Sequence, residues 1–192
     1  MEGYVNEAGI YLIQVLFSLY ILAVLLRFMF QLVRADFYNP VSQVLVKITN
    51  PPLLPLRRII PGLWGVDLAS IVLLLFLQVL ELFLVIGLKH SFLMAPLALS
   101  VLALAELVSL ATYVFIFCML IRIVLSWLQA GAYNPVIGLI VSLTEPLMRP
   151  ARRLIPPISG LDLSPIAVFI ALELVLILLV RPIQDLGKSL LF

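Results

Sequence analysis

The residues best suited to chemistry in this chain are charged and amide side chains set in a mostly apolar sequence. Arg57-Arg58 and Arg152-Arg153 are adjacent arginine pairs in proline-rich segments, with Arg149 close by. Neighbouring guanidiniums suit anionic partners such as lipid headgroups, an acidic ligand or the acidic surface of a protein. A second group, Gln78, Glu81 and Glu173, lies within apolar stretches, where ionisable side chains are costly and imply either helix–helix hydrogen bonding or an ion or proton path. The single cysteine, Cys118, cannot form an internal disulfide, and the single histidine, His90, leaves no Cys/His metal cluster. No phosphate-binding glycine loop, His-containing metal motif or nucleophile elbow is present. The reading is therefore of a non-enzyme, with no catalytic, metal-binding or cofactor-binding residue assigned.

The elements that must position these groups are membrane helices. Of 192 residues, 64% are apolar and 11% charged, and the mean hydropathy is +1.24, values foreign to a soluble globule. A net charge of +2 argues against nucleic-acid binding. Four stretches approach the roughly 20 apolar residues that a crossing needs, at about 9–30, 68–88, 104–125 and 163–180. The fold class expected is all-α integral membrane. The tract from Ser91 to Ala103 reads as an apolar extension broken near Pro96, and Arg181-Pro182 reads as the close of the last span. The N-terminal residues carry two acids and no Lys or Arg, unlike a cleavable signal peptide, so the first span reads as a retained helix.

Displacing the chain by 95 residues against itself brings Tyr38-Asn39-Pro40-Val41 onto Tyr133-Asn134-Pro135-Val136, Arg57-Arg58 onto Arg152-Arg153 and Asp67-Leu68 onto Asp162-Leu163. Across residues 38 to 72, 16 of 35 positions are identical, which reads as a tandem duplication of helix, motif loop and helix. The units would be 1–90 and 91–192, with loops at 34–67 and 129–162. Two crossings per unit make the repeats parallel, about an axis near the membrane normal. The loops hold Arg34, Lys47, Arg57, Arg58, Arg149, Arg152 and Arg153, whereas the other side holds Lys89, Arg181 and Lys188. This bias places both loops in the cytoplasm, and both termini and the Lys89-His90 turn in the periplasm.

Within each loop, Asn39-Pro40 and Asn134-Pro135 read as helix starts, with asparagine as the cap and proline at the first helical position. Val41, Val44, Leu45 and Ile48 form one apolar face of a short helix that ends in proline-rich turns after Thr49. Asp67 and Asp162 stand where a carboxylate caps the returning span. Arg27 and Arg122, also in register, read as snorkelling to the interface, and Glu106 as lying near the outer one. Glu81 and Glu173 fall about 21 and 17 Å beyond the two aspartates at 1.5 Å per residue, so both should face the bundle interior together with Gln78.

The duplicated pattern Asn-Pro, Thr-x-Pro, Pro-x-Arg-Arg-x-Ile-Pro and Gly-x-Asp-Leu resembles the YggT/YlmG family of membrane proteins, and its two-copy form is similar to the proteobacterial branch. The first copy departs from the second, with Asn50 and Leu54 in place of Glu145 and Arg149, so contacts made by those groups would be asymmetric. The resemblance implies links to osmotic or salt-stress tolerance, to cell division and envelope organisation, and, in chloroplast relatives, to cofactor attachment to a cytochrome b. It brings no agreed catalytic residues. Two functions follow as expectations. The leading one is an inner-membrane scaffold or assembly factor that meets the lipid bilayer, anionic headgroups and envelope or division proteins, with a homo-oligomer left open. The alternative is a small-ion channel or transporter.

Overall fold

The computed structural model describes residues 2–89, 93–127, 134–155 and 162–191; the expectations for His90, Ser91, Tyr133, Pro156 and Gly160 lie outside them. Among the described residues the chain is helical apart from short connections, one of which holds a turn closed by the Leu63–Val66 bridge. The helices are α1 (Glu2–Leu32), α2 (Pro40–Ile59), α3 (Leu68–Lys89), α4 (Pro96–Trp127), α5 (Pro135–Leu154), α6 (Ser164–Val175) and α7 (Arg181–Ser189), the last two joined by a π turn, Leu176–Val180. Four segments are long and apolar enough to cross a membrane, namely Gly3–Leu32, Leu68–Lys89, Pro96–Leu125 and Ser164–Ser189.

The spans pack in a row, α1 on α3, α3 on α4, and α4 on α6 and α7, while α2 docks on α1 and α3 and α5 docks on α4 and α6. The buried apolar residues form two clusters. Ile21, Val24, Leu73, Leu74 and Val114 belong to one, with Leu53 and Leu143 plugged in from α2 and α5. Met119, Met148, Val168 and Leu172 join α4, α5 and α6 in the other. Leu16, Leu19, Phe76, Phe117 and Ile170 face outward, as side chains surrounded by lipid do.

Several boundaries differ from those read in the sequence, and the first helix already begins at Glu2. The third span begins at Pro96 and runs unbroken to Trp127, because a proline at the first helical position starts a helix rather than interrupting one. The fourth passes through Arg181-Pro182. The Arg181 N–H reaches back five residues to the Leu176 carbonyl, and this widened turn accommodates a ring that would otherwise clash in the preceding turn. The loop helices are longer too. α2 continues through Pro51, Pro52 and Pro55, and the Ile48 carbonyl, which loses its helical donor at Pro52, accepts from the Tyr20 hydroxyl at 3.4 Å. The inward stripe of α2 is Ser42, Leu45, Thr49 and Leu53, whereas Val44 and Ile48, expected on a docked face, are exposed.

At the end of α1 the Ala35 N–H bonds the Phe30 carbonyl and the Arg34 N–H bonds that of Gln31, a Schellman ending. Arg34 occupies its left-handed position, with φ of 53°, where glycine is usual.

Candidate functional site

Each loop helix is an arm fastened to the bundle at several points, and the fastenings use the charged residues. At the end of α1, Arg27 Nη1 donates to Thr49 Oγ1 at 2.7 Å and to the Val46 carbonyl at 3.3 Å. The Thr49 hydroxyl in turn donates to the Leu45 carbonyl at 2.6 Å, so it is satisfied in both directions. In the other half Arg122 Nη1 donates to Thr144 Oγ1 at 2.7 Å and Nη2 to Glu145 Oε2 at 2.8 Å, while Thr144 donates to the Ile140 carbonyl. Both arginines thus turn inward to the arms instead of snorkelling. A threonine lone pair fixed on the neighbouring helix gives the guanidinium a partner without its leaving the protein.

The second fastening splits each arginine pair. Arg57 donates from Nε and Nη2 to Asp67 Oδ2, and Arg152 Nε to Asp162 Oδ2 at 3.0 Å. Asp67 also accepts from the Ser70 hydroxyl and N–H, capping α3 as expected, whereas Asp162 stands two residues ahead of α6, with Leu163 at the cap position, and accepts from the Ser164 N–H at 2.9 Å. Burial alone would raise both carboxyls, but the bonds from these arginines and serines hold them below the usual carboxylate range. Glu145 is likewise held low, chiefly by the Arg122 bond, against burial and with help from Arg149 and Arg152.

The second member of each pair is free of such ties. Arg58 and Arg153 are exposed and make no hydrogen bond or ion pair among the described residues. Arg149, with 74% of its side chain exposed, reaches Glu145 at 3.3 Å.

Asn39 and Asn134 cap their helices through the N–H groups of Val41 and Val136, with Pro40 and Pro135 at the first helical position. Asn39 Nδ2 also donates to the Pro135 carbonyl at 2.7 Å, which ties the two arms together at their starts.

Gln78 and Glu81 are buried on one face of α3; Glu81 accepts from Gln78 Nε2 at 3.0 Å and from the Ser18 hydroxyl at 3.4 Å. Glu173 does not join them. The buried stripe of its helix is Ser164, Val168, Leu172, Leu176 and Val180, and Glu173, one residue past Leu172 and about 100° round, is exposed. Glu106 sits ten residues into α4, further than expected, and accepts from Gln184 of α7 at 3.0 Å. Cys118 is buried in the first apolar cluster. Among the described residues no group of three or more His, Cys, Asp or Glu could hold a metal ion.

The Arg27–Thr49, Arg122–Thr144 and Glu106–Gln184 contacts were not evident from sequence. A signal existed for the first two, since arginine and threonine stand 22 residues apart in both halves.

Comparison with known proteins places this geometry in context. The family model described as CCB3/YggT matches twice, over residues 7–88 and 101–183. An uncharacterized protein of Pseudomonas aeruginosa is 48% identical over 92% of this chain and 90% of its own. A Vibrio alginolyticus protein is 41% identical over 85% and 88%, and the uncharacterized protein YggT of Escherichia coli K12 is 33% identical over 94% of each. No solved structure matches.

Proposed function

The chain belongs to the CCB3/YggT family, and from that premise we propose that it is a non-enzymatic, multi-pass protein of the bacterial inner membrane. It acts as a scaffold or assembly factor in envelope organisation, cell division or stress tolerance. Its two halves are parallel copies of one unit, and both arms lie on the cytoplasmic side with the majority of basic residues.

The observation that carries the reading is the division of labour within each arginine pair. Arg57 and Arg152 are consumed in holding the arms, whereas Arg58 and Arg153 are left outward, together with Arg149, on a surface made rigid by those same fastenings. Free guanidiniums on a preorganised helix suit acidic protein surfaces and anionic headgroups. The double variant Arg58→Glu/Arg153→Glu should unfold at the wild-type temperature yet lose proteins that the wild type retains in mild detergent. An unchanged set of co-purifying proteins would refute the reading.

A second reading, transport of a small ion, is favoured by the buried Gln78–Glu81 contact, which the exposed Ser18 extends, and by the Glu106–Gln184 pair. It requires flux in liposomes that Glu81→Gln alters, and flux equal to empty vesicles would exclude it.

A further inference from the structure

The two arms differ in one electrostatic respect. Arg122 has a carboxylate, Glu145, on its Nη2. The position 95 residues earlier is Asn50, and Arg27, with only 8% of its surface exposed, bonds just the neutral oxygens of Thr49 and Val46. Taking a guanidinium out of water without a counter-charge is costly, so the first half lacks an anion that the second half supplies from its own chain.

An open cavity of about 630 Å³ adjoins Arg27, lined by the end of α1, by α2 and by the segment leading to α3. Arg34 and Arg57 also line it, and Asp67 is the one carboxylate among its lining residues. Asp67 is bonded by Arg57 and Ser70, and its single charge, which also acts on Arg27, is set against the three guanidiniums of Arg27, Arg34 and Arg57. Arg34 lines this wall from the left-handed position that ends α1.

We infer that the cavity binds a phosphate ester, whose oxygens meet Arg27 and Arg34 while its organic part lies against Phe30 and Leu45. The volume falls in the range of roughly 300–1,000 Å³ typical of small-molecule sites, with room beyond a bare phosphate. Basic pockets between membrane helices hold such groups as lipid headgroups, and a soluble phosphate ester offers the same chemistry. The inference does not rest on the docking reading, because it concerns the buried Arg27 and the exposed Arg34 at the cavity wall rather than Arg58 and Arg153.

The test uses the full chain in detergent. Native mass spectrometry should find phosphatidylglycerol retained over phosphatidylcholine by about tenfold or more. Asn50→Glu, which installs the counter-charge found in the other half, should abolish that preference while leaving the lipid-free unfolding temperature equal or higher. Arg34→Gly should do the same by removing one charge and relieving the backbone. Inorganic phosphate and glycerol phosphate are titrated in parallel against chloride at matched ionic strength. If they raise the wild-type unfolding temperature and displace the lipid, the source is a soluble ester; if only the lipid binds, it is a headgroup. Equal retention of the two lipids together with no specific phosphate effect would overturn the inference. So would a wild-type preference that survives in both variants.

Discussion

Replacing Asp67 by alanine should destabilise the protein more than the matching change at Asp162, and the structure sets the margin. The Asp67 side chain is 6% exposed and holds both Arg57 and Ser70. Stripping one partner from a buried charge pair costs about 3–5 kcal/mol. Arg57 is 34% exposed, however, so water recovers part of that cost, while the fully buried Ser70 hydroxyl loses an acceptor. A loss of about 3 kcal/mol follows. At Asp162 the pair is 39% and 33% exposed, so the ion pair contributes about 0–1 kcal/mol and the lost bond to the Ser164 N–H about 1 kcal/mol more.

Thermal unfolding of the two variants in one detergent, between pH 6 and 8, should rank them with a gap of about 1–2 kcal/mol. The pH dependence has a definite sign. The Asp67 pKa is lower folded than unfolded, so its contribution is complete above the unfolded value of about 4 and is lost as pH falls through the folded value. Below about pH 4 the wild type should therefore approach Asp67→Ala. An Asp162→Ala variant that costs as much as Asp67→Ala would refute the burial argument.

Gly187→Ala would set a methyl 2.6 Å from Leu102 Cγ where α7 crosses α4, so it should lower the unfolding temperature by an amount worth about 1–3 kcal/mol, with partial rescue by Leu102→Ala. Glu81→Leu strands the buried Gln78 and should cost about 1–3 kcal/mol, whereas Glu173→Leu, on the outward face, should be neutral or stabilising under the same unfolding assay. For topology, cysteines at the exposed Lys47 and Arg153 should resist a membrane-impermeant thiol reagent in intact cells, while one at Lys89 reacts; labelling of Lys47→Cys and Arg153→Cys from opposite sides would defeat the parallel two-unit arrangement.

The sequence was most informative where a residue type is tied to a local job. Asn39-Pro40 and Asn134-Pro135 do start helices, and Asp67 does cap one, because capping depends on neighbours only a few residues away. The four apolar spans were equally plain, since length and hydropathy decide them. The face that each span buries was not. α6 is apolar nearly all round, so nothing in its own sequence tells the Leu172 side from the Glu173 side, and contact with α4 and α5 decides. Helix ends at proline were misread for a related reason. The sequence shows the lost N–H, but not the Tyr20 hydroxyl or the π turn that makes good the loss. The fastening of Arg27 to Thr49 joins two elements, so its recurrence at the same spacing in the other half was the only trace left along the chain.

The central claim, that the outward arginines of the arms are a protein-docking surface, is tested most directly by photo-crosslinking in native membranes. A photoreactive amino acid at position 58 or 153 should give a reproducible protein adduct, while the same probe at the outward-facing position 173 gives lipid alone. Lipid adducts alone at all three positions would contradict it.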